Sequence, residues 1–180
     1  MQIQLFRTRN VERKMLEEVA SCLHKVFSAN VEIVDHYIEP PIDIFDDKRM
    51  QYLADAFVYH VYRYRNFVSI AIILAEFDAY VKGLNFVFGL AIPHLKTAAV
   101  FLPRLAVAAS GIVFIERVKK EVIHELGHIL GLKHCFKREC VMSFSNSVAE
   151  VDSKTMKFCR KCTKLLEKQG YKIGQEYTLM

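Results

Sequence analysis

The sequence lacks a hydrophobic run long enough to span a membrane. Its most apolar stretch, FVSIAIILA at 67–75, has nine residues. That length suits a buried strand and falls short of the ~20 residues that a transmembrane helix needs. The first residues, MQIQLFRTRNVERK, are interrupted early by polar and charged side chains, so they lack the apolar segment of a secretory signal peptide. We therefore expect a soluble, cytoplasmic protein without a membrane partner.

Internal repeats and a strong charge of one sign are also missing. No segment recurs at a fixed period, which excludes repeat architectures. The net charge of +5 is too small by itself to indicate binding to nucleic acid, so no nucleic-acid partner is expected. The chain has 180 residues, of which 52% are hydrophobic, and this is enough to bury a continuous core. We expect one domain.

Hydrophobic periodicity predicts alternating strands and helices, with a loop at 39–47. Strands are predicted at 3–7, 31–37, 67–75, 84–91 and 97–102. Helices are predicted at 11–27, 49–64, 111–130 and 152–170. This order indicates an α/β (α+β) fold with a mixed, mostly parallel sheet, because helices cross between parallel strands and the closely spaced last strands leave room for one antiparallel edge strand.

The segment HELGHILGLKH, from His124 to His134, carries the main chemical motif. A spacing of four residues places His124 and His128 on the same face of a helix, so both imidazoles can bind one Zn²⁺. Glu125 lies beside the first histidine, where a carboxylate can act as a general base. The alternative is an amphipathic helix that only carries surface histidines.

Two further residues make this motif more specific. Gly131 can adopt the left-handed conformation that ends a helix, and the turn lets His134 supply a third nitrogen. Three protein ligands leave one position for water, which is typical of a catalytic zinc rather than a structural one. The motif predicts attack by zinc-activated water on a peptide carbonyl, with Glu125 accepting a proton and later delivering it to the leaving amine.

Four of the five cysteines form a second cluster, C-x4-C followed after 18 residues by C-x2-C. They are Cys135, Cys140, Cys159 and Cys162. Two closely spaced pairs in a reducing compartment favour a zinc site with four cysteine ligands, although free thiols and disulfides remain alternatives. We therefore expect two zinc ions per chain, one catalytic and one structural. The fifth cysteine, Cys22, lies on the apolar face of a predicted helix, and we interpret it as a small buried hydrophobe.

HELGHILGLKHC, followed by CVM and CRKC, resembles the archaemetzincins, a branch of the metzincin zinc metallopeptidases. The resemblance is specific between His124 and Cys162, whereas the first 80 residues share only length and element order. It implies that Met142 occupies a tight turn beneath the catalytic zinc. There its thioether would form an apolar floor and would not bind the metal.

The resemblance also implies a metzincin-like fold in which the whole chain, 1–180, forms one metallopeptidase domain. Residues 1–131 would form an upper subdomain with the sheet, a backing helix and the active-site helix. Residues 132–180 would form a smaller, zinc-stabilised lower subdomain with the Met-turn and the four-cysteine site. The implied partner is a peptide or protein substrate. The implied roles are zinc ligation by His124, His128 and His134 and general base catalysis by Glu125.

The segment LNFVFGLA, 84–91, is the candidate edge strand above the active-site cleft. A peptide can add to such an edge in the antiparallel direction and gain main-chain hydrogen bonds. We expect the backbone of Phe88, Gly89, Leu90 and Ala91 to bind substrate, with Gly89 allowing a close approach. The alternative is that these apolar residues only pack inside the sheet.

Two other functions remain open from the sequence. The first is a weakly active or inactive peptidase-like interaction protein, against which the intact Glu125 counts. The second is a zinc-containing module that binds nucleic acid through the cysteine cluster and the lysines and arginines around it. Only a few aromatic residues lie near that cluster, which makes the second function less favoured.

Overall fold

The computed structural model describes all 180 residues and contains eight strands and six helices. The strands are β1 Gln2–Arg7, β2 Asn30–Tyr37, β3 Phe45–Asp46, β4 Gln51–Leu53, β5 Ile70–Ala75, β6 Ala79–Tyr80, β7 Gly89–Ile92 and β8 Thr97–Phe101. The helices are α1 Arg13–Phe27, α2 Ala54–Tyr62, α3 Leu102–Leu105, α4 Gly111–Ile129, α5 Val148–Ser153 and α6 Arg160–Lys168. None of these helices combines the length and apolar character needed to cross a bilayer.

The main sheet has five strands in the order β2-β1-β5-β8-β7. The pairs β1–β2, β1–β5 and β5–β8 are parallel, and β7 is antiparallel to β8. The predicted mixed, mostly parallel sheet with one antiparallel edge strand is confirmed. Because β7 is the last strand in the sheet, one side of its backbone is left without a strand partner.

Helices cover both faces of this sheet, and the alternation of side chains along β5 shows how. Ile70, Ile72 and Leu74 point into a core that α1 and α4 share, whereas Ala71 and Ile73 point into a second core beneath α2. Every residue of β5 is buried, which explains its continuous apolar sequence. Helix α1 is thus the backing helix, and α4 is held in the larger core by Val118, Val122, Ile123 and Leu126.

Two element boundaries differ from the prediction in the first half of the chain. The predicted helix at 49–64 begins only at Ala54, because residues 51–53 form β4 of a small second sheet with β3 and β6. The predicted strand at 67–75 begins at Ile70, since Phe67 and Val68 are 91% and 73% exposed. The apolar side chains of Phe67 and Val68 therefore made the hydrophobic pattern longer than the strand itself.

Two further boundaries differ near the site. The predicted strand at 84–91 begins only at Gly89. The carbonyls of Leu84 and Asn85 instead accept hydrogen bonds from the Arg49 guanidinium, at 3.1 and 2.9 Å. The predicted helix at 152–170 is two helices, α5 and α6, with the extended segment 154–158 between them. That segment does not continue a helix, because it bonds to the backbone of residues 135–142, which we call the cysteine loop. Thr155 N donates to Glu139 O, and Val141 N donates to Lys157 O.

Candidate active site

Helix α4 places the first two histidines of the motif side by side. The ring centroids of His124 and His128 are 4.6 Å apart, and their Nε2 atoms are 3.0 Å apart. The Nδ1 atom of His124 lies 2.8 Å from the Val141 carbonyl, and that of His128 lies 2.8 Å from the Leu132 carbonyl. A carbonyl can only accept, so each Nδ1–H donates and each Nε2 keeps a free lone pair.

The chain turns sharply after α4 and brings the third histidine to the other two. Gly131 has φ +87°, the left-handed region that glycine adopts without strain, and Leu132 N then donates to Gly127 O at 2.9 Å. The ring of His134 lies 5.3 Å from that of His124 and 4.8 Å from that of His128. The predicted convergence of the three imidazoles is thus present in the fold.

These three imidazoles fit a zinc ion. One ligand nitrogen from each lies within 4.8 Å of the others. Burial lowers the pKa of all three, most strongly that of His124, so the rings are neutral and their lone pairs are available at neutral pH. Three neutral nitrogens with carbonyl-fixed tautomers are the donor set of an open zinc site.

The carboxyl group of Glu125 lies against the edge strand. A Cβ atom added at Gly89 would be only 2.6 Å from Glu125 Oε1, so the glycine makes room for this carboxyl. Burial raises the pKa of Glu125 well above its usual value, the neighbouring Glu121 adds to the increase, and the Lys154 ammonium and the Ala91 N–H oppose it. A buried carboxyl beside three imidazoles has the high proton affinity that a general base needs.

Met142 follows Val141, whose carbonyl accepts from His124, and it packs against Gly127 between the two motif histidines. Its side chain is fully buried, and its carbonyl accepts a hydrogen bond from Cys135 N at 2.8 Å. A Cβ atom at Gly127 would lie 2.4 Å from Met142 Sδ. No pattern in the sequence indicates this role of Gly127. The glycine between the two motif histidines lets the methionine pack directly under the helix.

The four clustered cysteines also converge. Cys135 and Cys159 have their sulfur atoms 3.7 Å apart, and Cys140 and Cys162 have theirs 3.8 Å apart. All four sulfur atoms lie within 4.8 Å of one another, and none forms a disulfide. The hydrogen bond between the sulfur atoms of Cys140 and Cys162 lowers the pKa of Cys140 to about 5. The same hydrogen bond raises the pKa of Cys162, because the sulfurs compete for one buried negative charge. This donor set fits a tetrahedral zinc held by four thiolates. Cys22 lies apart, buried in the core as predicted.

The cleft between α4 and the edge strand has a volume of about 480 Å³. In the antiparallel pair of β7 with β8, the backbone groups of every second residue of β7 face β8. The carbonyl of Phe88 faces β8, where it accepts from Phe101 N at 2.8 Å, and the Phe88 side chain is buried. By alternation, the backbone groups of Gly89 and Ala91 face the open side. The backbone groups of Phe88, and by the same alternation those of Leu90, therefore face β8, so of the four residues predicted to bind substrate only Gly89 and Ala91 present the free edge.

An ion pair that the sequence analysis missed lies at the base of the cleft. Lys154 Nζ is 2.7 Å from Glu121 Oε1, and the two side chains are only 1% and 4% exposed. The same ammonium lies 3.4 Å from the Ser143 carbonyl, one residue after Met142. It thus ties the active-site helix to the turn beneath the histidines. Neither residue belongs to a recognisable motif, and both have charged or polar neighbours in the sequence, in VKKEV and DSKT, so nothing in the sequence signals their burial.

Comparison with known proteins gives the same assignment as this geometry. Residues 11–168 match the model of peptidase family M54. The archaemetzincin of Aeropyrum pernix is 46% identical over 74% of this chain and 75% of its own length. The crystal structure of archaemetzincin from Methanopyrus kandleri is similar with a TM-score of 0.84 and 34% identity, covering 93% of this chain and 94% of that one. A zinc-dependent peptidase from Methanocorpusculum labreanum has a TM-score of 0.84 and 29% identity, covering 91% of this chain and 99% of that one.

The predicted resemblance is therefore confirmed, and it now extends over most of the chain. The family, the mixed sheet and the two clusters of metal-binding side chains are consistent with one another. The chain belongs to peptidase family M54, the archaemetzincins, and is a zinc metallopeptidase.

Proposed function

We propose that the chain hydrolyses peptide bonds at the cleft between α4 and β7, with Glu125 as general base and then general acid. The observation that carries the proposal is that the Glu125 carboxyl lies against Gly89 of the edge strand and lines the same cleft as the three imidazoles. His124, His128 and His134 would hold the catalytic zinc. When bound there, zinc supplies Lewis-acid chemistry, polarising a carbonyl and making water more acidic.

The chain's own residues would carry the remaining steps. A substrate segment would lie antiparallel to β7 and bond to the outward backbone groups of Gly89 and Ala91. Glu125 would accept a proton from the attacking water and deliver it to the departing amine nitrogen, so the proton balance closes within one turnover. Met142 would keep the floor of the site apolar and fixed.

We further propose that Cys135, Cys140, Cys159 and Cys162 hold a second, structural zinc, and that residues 132–180 form a lower subdomain organised around it. The adjacency of His134 and Cys135 supports this proposal, because a metal fixed by the cysteine would hold the neighbouring histidine in place. The main-chain bond from Cys135 N to Met142 O joins the same loop to the floor of the site.

The two metal sites should lose zinc in a fixed order. We expect purified protein to contain about two zinc ions per chain, one held by thiolates and one by neutral, cleft-facing imidazoles. A mild chelator should first remove one zinc together with all peptidase activity, and added zinc should restore the activity. Zinc release, activity on a fluorogenic peptide library and circular dichroism would be followed in the same titration. Simultaneous loss of both metals would contradict the proposed order and the separate roles.

Gly89 offers a test of the proposed base that leaves the metal ligands unchanged. In Gly89→Ala the new methyl group must displace the Glu125 carboxyl, which lies 2.6 Å from the Cβ position. We expect activity to fall about tenfold to a hundredfold, because a displacement of about 1 Å at a catalytic group has an effect of that size. Zinc content and melting temperature should stay near those of the parent protein. Gly111→Ala is the matched control, because a Cβ atom there meets nothing within 4 Å.

A further inference from the structure

A second groove adjoins the catalytic cleft. Its volume is about 780 Å³, larger than that of the cleft, and the four residues from Gly131 to His134 line both cavities. We call it the basic groove. It is defined here by the cations Lys133, Lys137, Arg160 and Lys161 and by the apolar side chains of Phe136 and Leu165. A chain lying in one cavity could therefore continue directly into the other.

The basic groove carries an uncompensated positive charge. Four of its lining residues are lysine or arginine, and none is aspartate or glutamate. The protein has seven ion pairs between side chains, and none of them involves these four cations. Cys135, Cys159 and Cys162 also line the groove, and a zinc ion held there by four thiolates would contribute a net charge of about −2, which offsets half of the four positive charges.

Two local features make this arrangement unfavourable for the protein alone. Arg160 and Lys161 begin α6, where the positive end of the helix dipole disfavours cations. Phe136, which lies between Cys135 and Lys137 in the sequence, has a fully exposed side chain, at 104%. Both features become favourable when an acidic and apolar partner covers the groove, because its charges pair with the cations and its apolar side chain covers the ring.

We propose that the basic groove is a docking site for an acidic peptide segment that contains a large apolar side chain. This segment would be part of the peptide or protein substrate. It would be separate from the stretch of the substrate that occupies the catalytic cleft and contains the scissile bond. The inference deepens the proposed function and rests on it, because it assigns a substrate class to the surface beside the same site. An acidic segment pairs with the four cations, and its apolar side chain packs against Phe136 and Leu165.

Nucleic acid is a poorer match for this groove. Proteins that bind single strands stack successive bases on several aromatic rings. Apart from the imidazole of His134, the ring of Phe136 is the only aromatic ring that lines the groove, and five of the lining residues are leucine, phenylalanine or methionine. An acidic peptide uses both the apolar and the cationic parts of the surface, whereas a phosphate backbone would use only the cations.

Binding would be measured on the full-length, zinc-loaded Glu125→Gln protein, so that peptides are not cleaved and binding is separated from catalysis. The probe is a fluorescein-labelled peptide of about twelve residues in which acidic residues flank one leucine. A neutral twin has Asn and Gln in place of Asp and Glu, and a second twin has Ser in place of the leucine. We expect the acidic peptide to bind at least tenfold more tightly than either twin, and more weakly as salt is raised.

The groove itself is tested by Lys137→Glu combined with Lys161→Glu. Both side chains are exposed, and glutamate near the start of α6 favours the helix, so this variant should keep its fold and zinc. It should lose the tenfold preference. The control, Lys14→Glu combined with Lys48→Glu, makes the same charge change at exposed sites away from the groove and should keep the preference.

Several outcomes would overturn the proposal. Equal binding of the acidic peptide and its neutral twin would do so, as would equal effects of the groove variant and its control. Tighter binding of a single-stranded oligonucleotide or of phosphatidylserine vesicles through Lys137 and Lys161 would assign the groove to a different partner. Loss of activity in wild-type protein with docking intact would instead indicate a failure of the proposed catalysis alone.

Discussion

Replacing Glu125 with glutamine should lower the rate of peptide hydrolysis by about a hundredfold to ten-thousandfold, the usual contribution of a positioned general base. The amide keeps the size of the carboxyl, so it fits the space beside Gly89, but it cannot accept and return a proton. The three imidazoles keep their positions, since neither of the bonds from His124 and His128 to backbone carbonyls involves Glu125. Zinc content should therefore remain at the parental value.

The measurement is turnover of a fluorogenic peptide library by zinc-loaded protein, together with zinc per chain and melting temperature. Glu116→Gln is the matched control. It makes the same chemical change on the same helix, but at an exposed position outside the cleft. We expect it to keep full activity. If Glu125→Gln retained more than about a tenth of the activity with zinc in place, Glu125 would not be the base, because a base contributes at least about a hundredfold.

The convergence of the three imidazoles could be predicted from the sequence because the residues that bring them together are close along the chain. The spacing of His124 and His128 follows from the helical repeat, and Gly131 and His134 lie within one turn and its exit. The four cysteines are also recognisable, since two short-spaced pairs indicate one metal. In these segments a few neighbouring residues determine the geometry, so the structure and the sequence lead to the same arrangement.

The parts that were missed depend on contacts between distant segments. Gly127 matters because Met142 packs beneath it, and Gly89 matters because the carboxyl of Glu125 lies against it. The buried ion pair at the base of the cleft likewise joins α4 to the segment after α5. The helical periodicity of the basic tail gave no sign of the break at 154–158, because that segment bonds to the backbone of Glu139 and Val141 on one side and of Tyr177 and Leu179 on the other. Hydrophobic patterns carry no information about such pairings.

Replacing Cys140 with serine should destabilise the protein and remove both zinc ions. Cys140 is fully buried, and its sulfur atom accepts a hydrogen bond from Cys159 N at 3.3 Å. The next residue, Val141, supplies the carbonyl that fixes His124, and Met142 follows it. A structural zinc contributes its binding free energy directly to folding. Without it, the loop that carries both the floor of the site and the third histidine loses its main constraint.

We expect the free energy of unfolding to fall by about 4 kcal/mol or more, as for other losses of a structural metal, which lowers the melting temperature by about 8–16 °C for a chain of this size. Cys22→Ala is the matched control, because it removes another buried thiol. This thiol lies on the buried face of α1, away from the four-cysteine cluster. It should cost about 1 kcal/mol and keep both zinc ions and full activity. Zinc per chain, thermal unfolding and activity of the two variants would be measured in parallel. If Cys140→Ser kept activity and two zinc ions, the cysteine cluster would not be the metal site that holds the lower subdomain together.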